Sequence, residues 1–378
     1  MNRESSFINL TLVLVCIMHL LKAKVTIHKN ILPVINPSQA ILDRGLGEIT
    51  KVVAVLTLPV SKVLRSKIHD NIRESSSESR FIDELNELDK ISFFPSSYAK
   101  WLKMHGVQIV PLDIFASADE IRETMRVVDG ILLTGGAVPL YKPESHIEIE
   151  TDTAPAQHIR EFSFYTKKVK EIIRFAKDIN KEGRVFPIWT TCLGFEGLIL
   201  GEANLQVSLS NVNNTNFASN ITLVDRENDF VRYFDDKEVE EMENQHIFYF
   251  NHEHAFFVNQ FTENEVLARK YRVIAQTYSR NSPDSNPIVA VIESKKYPIY
   301  GVQFHPEKNE FESKVKVERD TQALAILTKF SRFFCEKLQG SNNAQKLETL
   351  SRKLAQYSLY VGTDIGVFDE VYIFQKNN

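Results

Sequence analysis

Cys192 is the residue best placed for chemistry in this sequence. It lies in the segment PIWTTCLGFEGL, where an apolar strand pattern gives way abruptly to Gly194 and an apolar helical pattern. This order of strand, tight turn and helix is typical of a nucleophile elbow, in which the turn lifts the reactive atom clear of the sheet. The N–H groups at the start of the helix are expected to lower the pKa of the thiol. The pattern therefore predicts a cysteine nucleophile rather than a buried structural thiol.

The other two cysteines are expected to have no catalytic role. Cys335 lies beside the apolar stripe of a C-terminal helical pattern, without a neighbouring Gly or His, and is interpreted as a packed thiol. Cys16 lies in the apolar run 7–21, which resembles the h-region of a secretory signal and is short for a membrane span. A buried core helix or an uncleaved anchor are the alternatives for that run. Three cysteines in 378 residues exclude a disulfide scaffold.

A thiol nucleophile needs a histidine that accepts its proton and returns it to the leaving group. His305 follows an apolar strand pattern directly in the segment GVQFHPEK. The carboxyl ends of strands in a parallel sheet are where the sites of α/β proteins assemble. Glu307 lies two residues further on, where its carboxylate could orient the imidazole and stabilise its protonated form. We therefore predict His305 as the base and Glu307 as its partner.

His252 and His254 form a second histidine cluster, in FNHEHAFF. On a regular strand both side chains would point to the same face, as metal ligands can. Because no third and fourth ligand follow at a suitable spacing, the sequence predicts no metal site. A supporting or substrate-binding role for His252 is favoured, with a structural histidine as the alternative.

A glycine pair supplies the third element of the predicted site. Gly135 and Gly136 follow an apolar strand pattern in LLTGGAV. Glycines let backbone N–H groups approach an oxyanion without a Cβ in the way. An ordinary turn after the strand explains these residues equally well from the sequence alone.

The elements that would position these residues alternate between strand and helix patterns. Apolar strand patterns occur at 52–58, 107–112, 129–134, 185–189, 247–250, 287–292, 299–304 and 369–374, and helical patterns at 97–105, after Ser117, from Ile159 to Gly183, and at 323–338. Ser117 and Glu120 form a capping box at the start of the second helix. This alternation predicts an α/β fold with a largely parallel central sheet covered by helices.

Length and composition limit the remaining classes. A chain of 378 residues allows two domains or one large domain. We predict a signal at 1–23, a polar leader at 24–50, one catalytic domain at 51–340 and a C-terminal extension at 341–378. The net charge of −4 gives no basic excess, so no nucleic-acid partner is expected. Sequons at Asn213 and Asn220 would be glycosylation acceptors in a secretory lumen.

The combination of LLTGGAV, WTTCLGFEGL and YPIYGVQFHPEK resembles the γ-glutamyl hydrolases, which belong to the class I glutamine amidotransferase-like group. The similarity extends from about residue 51 to 338. The resemblance implies a three-layer, flavodoxin-like α/β fold and an ω-peptidase with a cysteine nucleophile. It implies folate or antifolate poly-γ-glutamates as small-molecule substrates, no cofactor and no metal. It also implies a place in the secretory pathway, in a lysosome- or vacuole-like lumen or outside the cell, with no membrane attachment after signal removal.

The resemblance also assigns roles to individual residues. It implies that Cys192 is the nucleophile, His305 the base and Glu307 its partner, and that His252 is needed for activity. An oxyanion or substrate-binding role is implied for the remaining matched positions, which are Gly135, Gly136, Leu193 and Glu196. The role of Glu196 within that group is left open, as is whether the chain forms a homodimer.

Two positions depart from the family pattern. Thr190 stands where relatives carry Gly, and Thr134 stands where they carry Pro. A β-branched residue at position 190 could crowd the elbow or narrow the pocket. Two other functions therefore stay in view: a glutaminase that passes ammonia to a synthase, and a binding protein that keeps the fold without catalysis. The signal-like N-terminus argues against the first.

Overall fold

The structure is a computed structural model that describes residues 51–60, 91–151, 154–203, 207–280, 286–341, 358–365 and 368–375. The predicted signal and leader lie outside the described residues. The helices are α1 (Ser96–Lys103), α2 (Ala118–Val127), α3 (Phe164–Lys181), α4 (Leu193–Ala203), α5 (Asp236–Asn244), α6 (Val258–Glu263), α7 (Glu265–Lys270), α8 (Lys308–Phe311) and α9 (Thr321–Leu338). Among these helices, none is both long and apolar enough to cross a bilayer.

Sixteen strands lie within the described ranges. They are β1 (Val52–Leu56), β2 (Leu58–Pro59), β3 (Ile91–Pro95), β4 (Gln108–Leu112), β5 (Gly130–Leu133), β6 (Tyr141–Thr151), β7 (Ala154–Phe162), β8 (Ile188–Thr191), β9 (Ser210–Ser219), β10 (Thr222–Leu223), β11 (Phe248–Ala255), β12 (Tyr271–Thr277), β13 (Ile288–Ser294), β14 (Ile299–Val302), β15 (Ser358–Ile365) and β16 (Phe368–Gln375).

Eight of these strands form the central sheet, in the order β10-β12-β13-β14-β8-β5-β1-β4. The five strands from β14 to β4 are parallel to one another, and β13, β12 and β10 extend the sheet in antiparallel pairing. The carboxyl ends of β5, β8 and β14 therefore meet at one edge of the sheet. The predicted α/β fold with a largely parallel sheet is confirmed.

Both faces of the sheet are covered, because alternate side chains of a strand point to opposite faces. On β1, Ala54 and Leu56 join the core on one face, whereas Val53 and Val55 join the core on the other. Val169, Ile172 and Ile173 of α3 pack into the first core. Ile326, Leu327 and Phe330 of α9 pack into the second. The result is the three-layer arrangement that continuous apolar strands require.

The helix predicted from Ile159 begins later, at Phe164. The residues before it form β7, which pairs with β6 as an antiparallel hairpin. Ser163 caps the helix because its side chain accepts a hydrogen bond from the Thr166 N–H. The predicted end is correct: Gly183 follows the last turn with φ of 91°. The capping box of Ser117 and Glu120 is also present.

The C-terminal strand pattern at 369–374 lies within β16. This strand forms a hairpin with β15 and pairs along its other edge with β3. Strand β3 leads directly into α1, and β2 pairs with the far edge of β3. The C-terminal hairpin therefore packs beside α1, on the side of the molecule where the predicted site residues lie.

Candidate active site

Cys192 lies at the turn that joins β8 to α4. Its φ of 49° is in the left-handed region, which a non-glycine residue adopts only under constraint from its surroundings. The Cys192 N–H donates to the Val302 carbonyl at 2.8 Å, which ties the turn to the neighbouring strand. At Gly194, a Cβ would lie 2.5 Å from the Leu133 carbonyl oxygen, so the close packing of helix on sheet requires glycine there. The geometry is that of a nucleophile elbow.

His305 follows β14, the strand adjacent to β8. Its Nδ1 lies 2.8 Å from Oε1 of Glu307, and both side chains are buried. A carboxylate only accepts hydrogen bonds, so Nδ1–H donates to Glu307 and Nε2 is left free to accept a proton. The backbone N–H of His305 donates to the Tyr249 carbonyl at 2.8 Å, which fixes the start of this loop. The structure thus places the predicted base and its partner in direct contact.

Gly135 brings the cysteine and the histidine together. A Cβ at this position would lie 2.5 Å from Cε1 of His305 and 3.2 Å from Cβ of Cys192. Both side chains therefore pack against the bare Cα of Gly135, and any larger residue would separate them. The loop after β5 therefore packs between the elbow and the imidazole, and its glycine allows the two to lie close together.

The backbone donors near the elbow are unequal. The Gly135 N–H donates to the Tyr98 hydroxyl at 2.8 Å, so it is already satisfied. Within the described ranges, the Gly136 N–H has no hydrogen-bond acceptor. Leu193 is the first residue of α4, and its N–H acts on the sulfur of Cys192. An oxyanion could therefore accept from two backbone N–H groups: that of Gly136 in the glycine loop and that of Leu193 at the elbow.

The resting thiol is not activated in the way the sequence predicted. Burial is the main cause that raises the pKa of Cys192, and the Glu196 carboxyl raises it further. The Leu193 N–H and the Lys308 ammonium act in the opposite direction but are outweighed. The N–H at the helix start therefore acts on the pKa of this thiol in the predicted direction, but burial outweighs it and the net pKa is raised. The thiol group is 4.0 Å from the Asn251 carbonyl oxygen, to which it can donate.

His305 is held in the neutral form that a base requires. Burial lowers its pKa, and the Lys308 ammonium lowers it further, whereas Glu307 raises it. The thiol and the imidazole are therefore both neutral in the resting site.

Glu196 lies on α4, one turn after Cys192. It is buried, and its carboxylate accepts a hydrogen bond from Nε2 of Gln303 at 3.0 Å. Burial raises the pKa of Glu196 to about 8, with the Gln303 hydrogen bond acting against it. The hydroxyl of Tyr165 is also buried here and has no hydrogen-bond partner among the described residues. The position combines a carboxyl of unusual pKa with unsatisfied polar atoms.

His252 and His254 do not share a face, contrary to the regular-strand expectation. The pairing of β11 with β9 shifts register on both sides of His252. His252 is buried and its Nδ1–H donates to the His254 carbonyl at 2.8 Å, whereas the His254 side chain is exposed. Nε2 of His252 has no partner within the described ranges, and burial lowers the pKa of this imidazole to about 4. Among the residues the structure describes, no cluster could hold a metal ion.

The two departures from the family pattern are accommodated inside the sheet. Thr190 is fully buried and its hydroxyl donates to the Tyr300 carbonyl at 3.1 Å. The hydroxyl of Thr134 lies 3.5 Å from the Leu56 carbonyl oxygen. Both contacts are with strand backbone, so neither side chain crowds the elbow. Cys335 is buried in α9, as predicted.

Sequence patterns predict no role for two residues of the site. The Tyr98 hydroxyl accepts the Gly135 N–H and lies 3.3 Å from Nδ1 of His305, across 207 residues of chain. Lys308 directly follows Glu307, and its charge acts on both Cys192 and His305. Lys308 is the last residue of the GVQFHPEK segment, and this is the only sequence signal for either residue.

A comparison with known families identifies the family of this chain. The model of the peptidase C26 family matches residues 75–307, which is more than half of the chain. The chain belongs to the peptidase C26 family. The family resemblance predicted from the sequence is thereby confirmed.

The curated relatives of this family member are of similar length. γ-Glutamyl hydrolase B of Dictyostelium discoideum is 26% identical over 338 residues, which cover 87% of this chain and 84% of the relative. The γ-glutamyl hydrolases of Rattus norvegicus and Homo sapiens are each 25% identical over 288 residues, covering 75% of this chain and 83% of the relative. Among solved structures, a protein proposed to be one component of the GMP synthase of Thermoplasma acidophilum aligns at 15% identity with a TM-score of 0.40, covering 77% of this chain and 97% of the other.

Proposed function

We propose that this chain hydrolyses γ-glutamyl amide bonds, with folate poly-γ-glutamates as substrates, through a γ-glutamyl thioester on Cys192. The observation that carries the proposal is the pairing of a strained elbow cysteine with a histidine whose Nδ1 is held by a carboxylate. Membership of the peptidase C26 family and the named relatives support the substrate class.

The first half of the reaction forms the thioester. The Cys192 proton passes to Nε2 of His305 as the sulfur bonds to the γ-carbonyl carbon of the substrate. Glu307 stabilises the imidazolium that results. His305 then returns the proton to the leaving nitrogen as the carbon–nitrogen bond breaks. The products of this half are an amine, which departs, and a γ-glutamyl group bound to Cys192.

The second half releases the acyl group. Water attacks the thioester carbon, its proton passes to His305, and the carbon–sulfur bond breaks to give a γ-carboxylic acid. The thiolate takes the proton back from His305, which restores the resting site. The N–H groups of Gly136 and Leu193 are proposed to stabilise the oxyanion in both halves.

The compartment is a further part of the proposal. The apolar run at 7–21 and the sequon at Asn213 favour the secretory pathway, ending in a lysosome- or vacuole-like lumen or outside the cell. The side chain of Asn213 is exposed on β9, as a glycosylation acceptor must be. The amide nitrogen of Asn220 instead donates to the Glu243 carbonyl, which disfavours the second sequon.

The test is incubation of the purified chain with pteroyl poly-γ-glutamate, beside Cys192→Ala and the matched control Cys335→Ala. The wild type and the control are expected to release glutamate or γ-glutamyl peptide, and Cys192→Ala to release none. Acid quenching of the wild-type reaction should trap the thioester on the Cys192 peptide for mass spectrometry. No release by the wild type, or equal release by Cys192→Ala, contradicts the proposal.

A further inference from the structure

Lys308 occupies an unusual place beside the proposed active site. It is only 2% exposed, and burial lowers the pKa of its ammonium group, whereas the nearby Glu307 carboxylate raises it. That ammonium lies 5.4 Å from the ring centre of Tyr249 and 5.1 Å from the ring centre of Phe368. Two aromatic faces at this distance stabilise a cation that has lost most of its water. Phe368 is the first residue of β16, so the C-terminal hairpin supplies one of the two aromatic rings that contact the Lys308 ammonium.

Among the described residues, the ammonium of Lys308 has no direct ion-pair partner. Within the described ranges, no carboxylate lies within 4.0 Å of its nitrogen and no side-chain hydrogen bond leaves it. The backbone N–H of Lys308 donates to the His305 carbonyl at 3.3 Å, which fixes the backbone of Lys308 beside that of His305. The Glu307 carboxylate is fully buried, and one of its oxygens has no hydrogen-bond partner in the described part of the chain. The Glu307 carboxylate raises the pKa of Lys308, so the two buried charges stabilise each other without a direct ion pair among the described residues.

The C-terminal hairpin is fixed to the segment that directly follows α8, the short helix that begins at Lys308. The Asp369 N–H donates to the Glu312 carboxylate at 2.7 Å. In return, the Asp369 carboxylate accepts the N–H and the hydroxyl of Ser313, at 2.6 and 2.9 Å. On the other side, Glu370 forms an ion pair with Lys100 of α1 at 2.5 Å. These contacts hold the Phe368 ring in a defined position over Lys308.

We propose that the C-terminal hairpin is part of the active site, with Phe368 holding Lys308 as the counter-ion of Glu307 and of the thiolate that forms at Cys192. Lys308 and Phe368 are positioning residues, because neither needs to touch the substrate. The inference rests on the proposed nucleophilic role of Cys192. It extends the site beyond residue 307, where the match to the family model ends.

The physical consequence is a shift of the pH at which the site reacts. The Lys308 charge lowers the pKa of Cys192 and of His305. Without it both pKa values rise, so a higher pH is needed to obtain a neutral His305 and to form the thiolate. The other ionisable groups that act on the Lys308, Cys192 and His305 charges are Tyr98, Tyr165, Glu196, Tyr249, His252, Glu307 and Glu312. A change at position 308 or 368 replaces none of these residues, but loss of the Lys308 charge also raises the pKa of Glu312.

The experiment measures the rate at which iodoacetamide alkylates Cys192 in the full chain as a function of pH, read from the Cys192 peptide by mass spectrometry. We expect Lys308→Met and Phe368→Ala to move the midpoint of the profile upward by about 0.5 to 1 pH unit. Lys308→Arg keeps the positive charge and should keep the wild-type midpoint. Phe368→Leu removes the ring but keeps most of the bulk, so it should give a smaller upward shift than Phe368→Ala. Tyr372→Ala is the matched control, since Tyr372 lies on the same strand but contacts Phe94.

The outcomes separate the possibilities. Urea unfolding first establishes that each variant is folded, and if Lys308→Met is not, the two Phe368 variants decide. A Phe368→Ala profile that coincides with the Tyr372→Ala profile overturns the proposal. So does a Lys308→Met enzyme that alkylates normally and shows only a raised KM, because the ammonium would then bind substrate instead. Alkylation needs no γ-glutamyl substrate, so a chain that shows the expected shifts but cleaves nothing contradicts the proposed function alone.

Discussion

Gly301 lies directly opposite Thr190 on the neighbouring strand, and the Thr190 hydroxyl occupies the space that a side chain at position 301 would fill. A Cβ at Gly301 would lie 2.7 Å from Oγ1 of Thr190 and 2.6 Å from the ring of Phe195. The β-branched residue two positions before the nucleophile is thus compensated by a glycine across the strand pair. The elbow keeps its geometry because the Thr190 side chain fills space within the sheet, beside Gly301, and does not enter the pocket.

Gly301→Ala is expected to destabilise the fold. The added methyl group would force Phe195 and Thr190 apart in a packed region, which typically costs about 1–3 kcal/mol. Urea unfolding should report this loss. Adding Thr190→Gly removes one of the two close contacts and should recover part of the free energy of unfolding. An alanine at 301 that leaves the unfolding midpoint unchanged would contradict this packing argument.

The elbow and the histidine loop could be predicted from sequence because each is local. In PIWTTCLGFEGL, an apolar run, a turn and a glycine define strand, nucleophile and helix within twelve residues, and GVQFHPEK does the same for His305. The pKa of Cys192 could not be predicted in this way. Its direction depends on burial by many residues, and that burial outweighs the local effect of the helix start.

The missed features depend on contacts distant in sequence or on irregular backbone. Tyr98 reaches His305 only because α1 packs beside the site, and no motif surrounds it. Phe368 reaches Lys308 only because the C-terminal hairpin pairs with β3. The register shifts in β11 separate His252 from His254, and bulges of this kind leave no periodic signal.

Glu307→Gln is expected to lower turnover by about 10²-fold or more, because the neutral amide cannot stabilise the imidazolium of His305. Glu307 raises the pKa of His305 and of Cys192, so its removal lowers both. The acid limb of kcat/KM against pH should therefore move to lower pH while the maximum falls. Glu310→Gln is the control, because Glu310 is an exposed carboxylate on α8, the short helix that follows Glu307, and its change should leave the profile unchanged.

Glu196 is expected to make the fold less stable as pH rises. Its pKa is about 8 in the folded chain and near 4.5 when exposed, so between these values the folded state binds more protons than the unfolded state. The free energy of unfolding should therefore fall from about pH 4.5 to 8, by on the order of 1 kcal/mol per pH unit. Glu196→Gln should remove this slope, because its oxygen still accepts from Gln303 and it does not ionise. Equal slopes in the variant and the wild type would contradict the burial effect.

His252 is expected to produce the opposite slope in a lower range. Its pKa is about 4 when folded and near 6.5 when exposed, so between these values the unfolded state binds more protons. Its contribution to stability is full above about pH 6.5 and is lost as the pH falls toward 4. His252→Asn should flatten this part of the curve, because the amide can still donate to the His254 carbonyl but cannot take up a proton. His254→Asn is the matched control, since that side chain is exposed and its change should leave the curve as in the wild type. Urea unfolding at pH 4, 5, 6 and 7 measures both variants, and a curve that His252→Asn does not flatten would show that the imidazole is already protonated when buried.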